Sequence, residues 1–182
     1  MQRFSMEFAD TERLKFSYIT ADEADFLWEL DQDEEVMKHL NGGVKTTREE
    51  IETVFLPRLA AYANPALGWG LWKVILKDSD EPIGWILVRP YGFFTSHPEV
   101  DNIELGWRFK RAFWGKGYAT EAAQGIRDGL ASTGISKFSA VTLPENENSI
   151  AIMKKLGMTY SHSQFYEDSV FSEDVVVYSQ CV

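Results

Sequence analysis

Cysteine is almost absent from this 182-residue chain: its one copy, Cys181, is next to last, which excludes a disulfide framework and any CxxC pair. Histidine is scarce too. His39, His97 and His162 are scattered, with neither HExxH nor a paired spacing, so no metal site is expected. No run approaches the ~18 apolar residues that a membrane span needs. The opening MQRFSMEFADTER is charged where a signal peptide is apolar, so a reducing cytoplasm is the default expectation. Positive charge is in short supply, with 18 Lys and Arg against 28 Asp and Glu and a net charge of −10. That balance argues against nucleic acid or an anionic membrane as partner and suits cationic ones, amines among them.

What is present is a large apolar complement. Hydrophobic residues make up 45% of the chain, including six Trp, seven Tyr and twelve Phe, enough to close a core without staples. No repeat or Pro/Gly-rich linker interrupts residues 1–182, which read as one domain. LKFSYI (14–19) reads as a strand. Thr20 with Glu23 and Thr47 with Glu50 form T-x-x-E capping boxes, each opening a helix. The first helix buries Phe26, Leu27, Leu30, Val36, Met37 and Leu40 and breaks near the acidic run DQDEE (31–35), which reads as a solvated face. The second buries Ile51, Val54, Phe55 and Leu59, and Pro57 should kink or split it.

LWKVIL (71–76) and PIGWILV (82–88), joined by DSDE, form a hairpin. Residues 90–101 read as a long aromatic loop in which Phe93, Phe94 and His97 either wall a site or pack on themselves. In NIELGWRF (102–109), Ile103, Leu105, Trp107 and Phe109 alternate with Asn102, Glu104, Gly106 and Arg108, as in a strand with one apolar face. A helix follows from Gly117, with Tyr118, Ala122, Ile126 and Leu130 stacked and Gly134 as its stop. Gly125 and Gly129 within it point to close packing on the sheet. KFSAVTL (137–143) is a strand, 148–158 a short helix, and 159–166 with 174–179 a closing strand pair. The order implies an α+β fold with a mixed, mostly antiparallel central sheet and flanking helices.

Residues 105–120 hold Arg108, Lys110, Arg111 and Lys116 and no acid, a basic island in an acidic chain. It spans a strand end, a loop and a glycine-bearing helix start, where free amides and the helix dipole favour an anion such as phosphate. A solvated basic turn is the plain alternative. The P-loop pattern fails, because the lysine precedes a glycine and no Ser or Thr follows it. A dinucleotide fingerprint fails as well, with Thr120 at the third glycine and no leading βαβ unit.

Trp114-Gly115-Lys116-Gly117-Tyr118-Ala119 resembles the [QR]-x-x-G-x-[GA] cofactor motif of the GNAT acetyltransferase superfamily, with Trp at the first position. WGKGYATEA, together with NENSIAIMKKLGM (146–158), is similar to the ribosomal-protein N-acetyltransferase (RimJ/RimL-like) branch. The resemblance covers roughly residues 12–180. It implies a GNAT-like fold in which two parallel strands, 102–109 and 137–143, splay apart around the pantetheine arm of acetyl-CoA. It further implies that the backbone of Arg108, Phe109 and Lys110 pairs with pantetheine. The amides of Lys116, Gly117, Tyr118, Ala119, Thr120 and Glu121 hold the pyrophosphate, and Asn146 contacts the arm.

The implied reaction is direct transfer of acetyl from acetyl-CoA to a primary amine, either a protein N-terminal α-amine or a small-molecule amine. Homodimers are common in the family. Glu104 is the candidate base. An unperturbed glutamate titrates near ~4.3, so this role calls for burial or a water relay, and a structural ion pair is the competing reading. Met153 stands where many relatives have a tyrosine proton donor. Ser149 is the next candidate donor, with N-cap of the short helix as its plain role. A non-catalytic acyl-CoA sensor is the alternative that the missing tyrosine leaves open.

Overall fold

The computed structural model describes residues 4–182, so the first three residues of the N-terminal segment lie outside it. The described order is β1 (Leu14–Tyr18), α1 (Ala24–Leu30), α2 (Glu34–Asn41), α3 (Arg48–Glu50), α4 (Leu56–Tyr62), β2 (Gly70–Leu76), β3 (Pro82–Tyr91), β4 (Glu99–Phe109), α5 (Tyr118–Ala131), β5 (Lys137–Thr142), α6 (Glu147–Lys155), β6 (Thr159–Glu167) and β7 (Ser172–Cys181). The strands form one sheet in the order β1-β2-β3-β4-β5-β7-β6, and β4 with β5 is its parallel pair. This is the α+β, mostly antiparallel architecture that the sequence implies.

Local chemistry explains the helix starts, with two departures. Thr47 caps α3 as expected, its Oγ1 accepting from Glu50 N at 3.1 Å. At Thr20 the reciprocal box does not form. Its hydroxyl accepts from Asp22 N at 3.4 Å, while Lys73 draws Glu23 away with an ion pair at 2.9 Å. Pro57 acts as foreseen but through a π turn over Ile51–Phe55, in which the Leu56 amide reaches five residues back to Ile51 O. Proline lacks the N–H for a normal helical bond and crowds the preceding carbonyl, and a widened turn relieves both. Leu40 and Val54 are 39% exposed, contrary to the buried stripes expected of them, because both face an open cavity.

Helices cover both faces of the sheet. On one side Phe26, Leu27, Leu30, Ile51, Leu59 and Tyr62 pack on Leu71 and Trp85. On the other, Ala122, Ile126 and Leu130 of α5 and Met153 and Leu156 of α6 pack on Val74, Ile86, Ile103, Leu105 and Phe138. Gly125 and Gly129 do permit close packing, most tightly against the N-terminal segment: an added Cβ would lie 2.8 Å from Thr11 and 2.6 Å from Phe8, and at Gly125 also 3.6 Å from Phe16 of β1. The expected loop at 90–101 is shorter than its composition suggests, confined to residues 92–98. β3 runs on to Tyr91 and β4 begins at Glu99, with Tyr91 paired to Glu99 across a bulge.

The feature that matters most for function is a failure of pairing. β4 and β5 meet only over Asn102–Glu104 and Lys137–Ser139, and beyond that point they diverge. Buried hydrogen bonds fix the root of the gap: Ser139 Oγ donates to Asn102 Oδ1 at 2.8 Å and lies 2.8 Å from Ser179 Oγ.

Candidate functional site

Two cavities open on either side of this gap and share His39, Leu40, Arg108, Val141 and Thr142 at their junction. The smaller, of about 550 Å³, runs between the strand ends and is floored by the turn into α5. Gly117 sits there at φ +79°, a left-handed conformation that residues with a Cβ adopt only at a cost. It is the N-cap of α5 and offers no side chain, so the amides of Tyr118, Ala119 and Thr120 keep no intrahelical partner. Such a bare helix start, lining a cavity, is a cradle for an anion. The expected Glu121 amide is not part of it, since it closes the first helical turn on Gly117 O at 3.0 Å.

Strand geometry sorts the residues expected to meet pantetheine. Lys110 N donates to Ile83 O at 2.9 Å, on the β3 side. Neighbouring residues along a strand turn their backbone groups to opposite sides, so Arg108 also faces β3, whereas Trp107 and Phe109 face the gap. Of those two, Phe109 was expected and Trp107 was missed. Trp114, the residue that departs from the family motif, donates its indole N–H to Phe109 O at 2.9 Å and lines the same cavity.

Asn146 and Ser149 lie on the far wall. Asn146, not Ser149, is the N-cap of α6, its Oδ1 accepting from Ser149 N at 3.2 Å. The Ser149 hydroxyl is therefore free of the capping role suggested for it. It accepts from Trp107 Nε1 at 3.3 Å, which leaves its own proton to point elsewhere.

The larger cavity, of about 960 Å³, lies on the opposite side of the gap between α2, the π turn, the β3–β4 loop and the β6–β7 hairpin. Glu104 lines it and is 15% exposed. Arg89, its partner across the β3–β4 pair, donates to Glu104 Oε2 at 3.1 Å. The structural ion pair thus exists, and in a position that also faces the cavity. Sequence reading overlooked Arg89; the signal was a basic residue on the strand opposite Glu104, visible once register is known.

The basic island is less basic than it reads. Arg108 pairs with Asp31 at 2.6 Å and Arg111 with Asp33 at 2.9 Å. Asp31, 2% exposed, and Asp33 are thus counter-charges, whereas Glu34 and Glu35 of the same run are exposed, as a solvated face requires. Lys110 and Lys116 keep their charge free of a carboxylate partner among the described residues. A second overlooked residue is Arg13, which binds Lys116 O at 3.0 Å and lies over the Tyr118 ring at 4.2 Å. Its Nε meets Glu121 Oε1 at 2.6 Å, and Thr11 Oγ1 donates to Glu121 Oε2 at 2.6 Å. Burial pushes the Glu121 pKa up, but these hydrogen bonds outweigh it and hold the carboxyl below its ordinary value. The Glu121 side chain is therefore a brace for the cradle and does not line the cavity.

Known proteins resemble this chain in sequence and in fold. Residues 13–159 match the family model described as Acetyltransferase (GNAT) domain. An uncharacterized N-acetyltransferase, p20, of Bacillus licheniformis is 32% identical over 156 residues, which cover 83% of this chain and 82% of p20. A GNAT-family acetyltransferase of Bacillus anthracis is 27% identical, superimposes with a TM-score of 0.72 and is covered over 96% of this chain and 98% of its own. The ribosomal L7/L12 α-N-protein acetyltransferase RimL, solved with coenzyme A, shares the fold at a TM-score of 0.69 and 15% identity, over 96% of this chain and 97% of that one.

Proposed function

Since the chain belongs to the GNAT acetyltransferase family, with acetyl-CoA as co-substrate, we propose that it acetylates a primary amine by direct attack in a ternary complex. The observation that carries this reading is the junction: two cavities, one with an anion cradle and one with the half-buried Glu104 carboxylate, meet where β4 and β5 part. The free amides at Tyr118, Ala119 and Thr120 suit the pyrophosphate of acetyl-CoA, and the edge of Trp107 and Phe109 suits its amide-bearing arm. Asn146 borders that arm. Acetyl-CoA supplies the thioester. The amine nitrogen forms a bond to the thioester carbon, the carbon–sulfur bond breaks, and the chain handles the two protons.

Glu104 takes the proton lost by the amine, through a water, since Arg89 already occupies one of its oxygens. Ser149 gives its proton to the departing thiolate. Trp107, donating to the Ser149 oxygen, fixes the hydroxyl so that its hydrogen faces the gap. Tyr166 is unsuited to the donor role, because its hydroxyl is engaged with Asp168 at 2.6 Å and both burial and that contact raise its pKa. The WGKGYATEA and NENSIAIMKKLGM segments support a RimJ/RimL-like placement within the family.

The test is release of free thiol from acetyl-CoA across a panel of amines and N-terminal peptides. Glu104→Gln is expected to lower kcat/KM about a hundredfold and Ser149→Ala to lower kcat about tenfold, with acetyl-CoA affinity unchanged in both. Wild-type binding of acetyl-CoA without turnover of any amine would favour a sensor role instead.

A further inference from the structure

The acceptor-side cavity of this acidic protein is lined by three arginines: Arg58 on α4, Arg89 on β3 and Arg108 on β4. Their side chains are only 21%, 15% and 14% exposed. Each hydrogen-bonds one carboxylate through one nitrogen: Arg58 Nη2 to Asp168 at 3.0 Å, Arg89 Nη2 to Glu104 at 3.1 Å and Arg108 Nη1 to Asp31 at 2.6 Å. In each, a second nitrogen is buried without a polar partner, namely Arg58 Nη1, Arg89 Nε and Arg108 Nε. The remaining nitrogens, Arg58 Nε, Arg89 Nη1 and Arg108 Nη2, have no protein partner among the described residues and are not walled off. A guanidinium has five N–H donors and no acceptor, so the floor is close to neutral in charge but rich in unfilled donors.

On the acceptor side Asp168 is full, while Glu104 Oε1 and Asp31 Oδ2 keep no hydrogen-bond partner among the described residues, fewer open acceptors than open donors. Asp168 takes hydrogen bonds from Tyr166 Oη at 2.6 Å and from Val170 N and Phe171 N at 2.9 Å each, besides Arg58. It has nothing left for a second ammonium. Glu50, Glu99 and Glu167 border the cavity but are exposed, where water and salt screen them. Aromatic stacking holds the donors still. Arg58 lies 3.9 Å and Arg89 5.3 Å from the centre of one ring, Phe94, and Arg89 lies 5.4 Å from Tyr62. Two guanidiniums fixed on a shared ring, beside Glu104, form a ready-made receptor for a planar oxyanion.

We infer that the amine acceptor also carries a carboxylate, and that Arg58 and Arg89 hold this group on the cavity floor while the amine reaches the gap beside Glu104. The inference rests on the acetyltransfer proposed above. A linear polyamine would present more donors to a surface already in surplus of them, whereas a carboxylate accepts hydrogen bonds from the open positions on Arg58 and Arg89.

The experiment compares free α-amino acids and dipeptides with their C-terminal amides, their decarboxylated amines and spermidine, by thiol release under saturating acetyl-CoA. The expected result is a preference of about tenfold or more in kcat/KM for the carboxylate-bearing member of each pair, expressed in KM. Arg58→Gln is expected to bring that preference close to one, and Arg58→Lys to restore part of it. Acetyl-CoA affinity by calorimetry and the melting temperature check that both variants fold. Equal or better use of the amides, decarboxylated amines or spermidine overturns the inference while leaving acetyltransfer standing, as does a preference that survives Arg58→Gln. Failure of the wild-type protein to bind acetyl-CoA removes the underlying reading, and the inference with it.

Discussion

Ser149 shows how a residue's role depends on what its neighbours take over. Asn146 supplies the helix cap, and Trp107 supplies a donor to the hydroxyl oxygen, so the serine proton is the one group left uncommitted. If Trp107 acts by orienting that hydroxyl, Trp107→Phe should lower kcat about three- to tenfold, the range of one neutral hydrogen bond. The same change made in a Ser149→Ala background should then have no further effect on kcat. A double-mutant cycle on single-turnover rates checks this, and additive losses would assign Trp107 a packing role only. The place of Glu104 on the polar face of β4 was legible from strand alternation, and its candidacy as base from the family resemblance. Its partner Arg89 was not, because pairing depends on the register of a hairpin whose loop is shorter than its composition suggests.

At the scale of elements, the cradle is a joint between β1 and α5 more than a loop. Arg13 and Thr11, just ahead of β1, clamp Glu121 in the first turn of α5, more than 100 residues later in the chain. The lowered pKa of Glu121 means that the folded state prefers its ionised form, so this clamp stabilises the protein above the ordinary glutamate range near ~4.3. That contribution disappears as pH falls through the lowered folded value. Glu121→Gln should accordingly cost about 1–3 kcal/mol near neutral pH, with wild type and variant converging in denaturant unfolding as pH falls through the lowered folded value. The T-x-x-E and Pro57 signals were read from local sequence, and each located a real helix boundary. Their details differed because Lys73 competes for Glu23 and because a π turn is an available response to an interior proline.

For the whole molecule, charge is arranged in opposition rather than in separate territories. The run at 31–35 lies far in sequence from the basic island at 105–120, yet Asp31 and Asp33 neutralise Arg108 and Arg111 of that island. Lys110 and Lys116 are what remain to attract an anionic co-substrate to a protein of net charge −10. Raising salt from about 50 to 300 mM should increase the KM for acetyl-CoA about two- to fivefold through screening, with the amine KM measured alongside. Lys116→Gln should reproduce much of that rise at low salt, and Arg111→Gln less of it, because Asp33 already offsets Arg111.

By itself the sequence determined the α+β order of elements, the bare helix start at Gly117 and the carboxylate on the polar face of β4. Each of these follows from local periodicity, capping or chain conformation. Only the tertiary structure decided where β4 and β5 part, which nitrogen of each arginine stays open, and that the acidic run answers the basic island. Those facts arise between residues brought together from distant parts of the chain, where packing of the helices against the sheet, and not any local preference, fixes the distances.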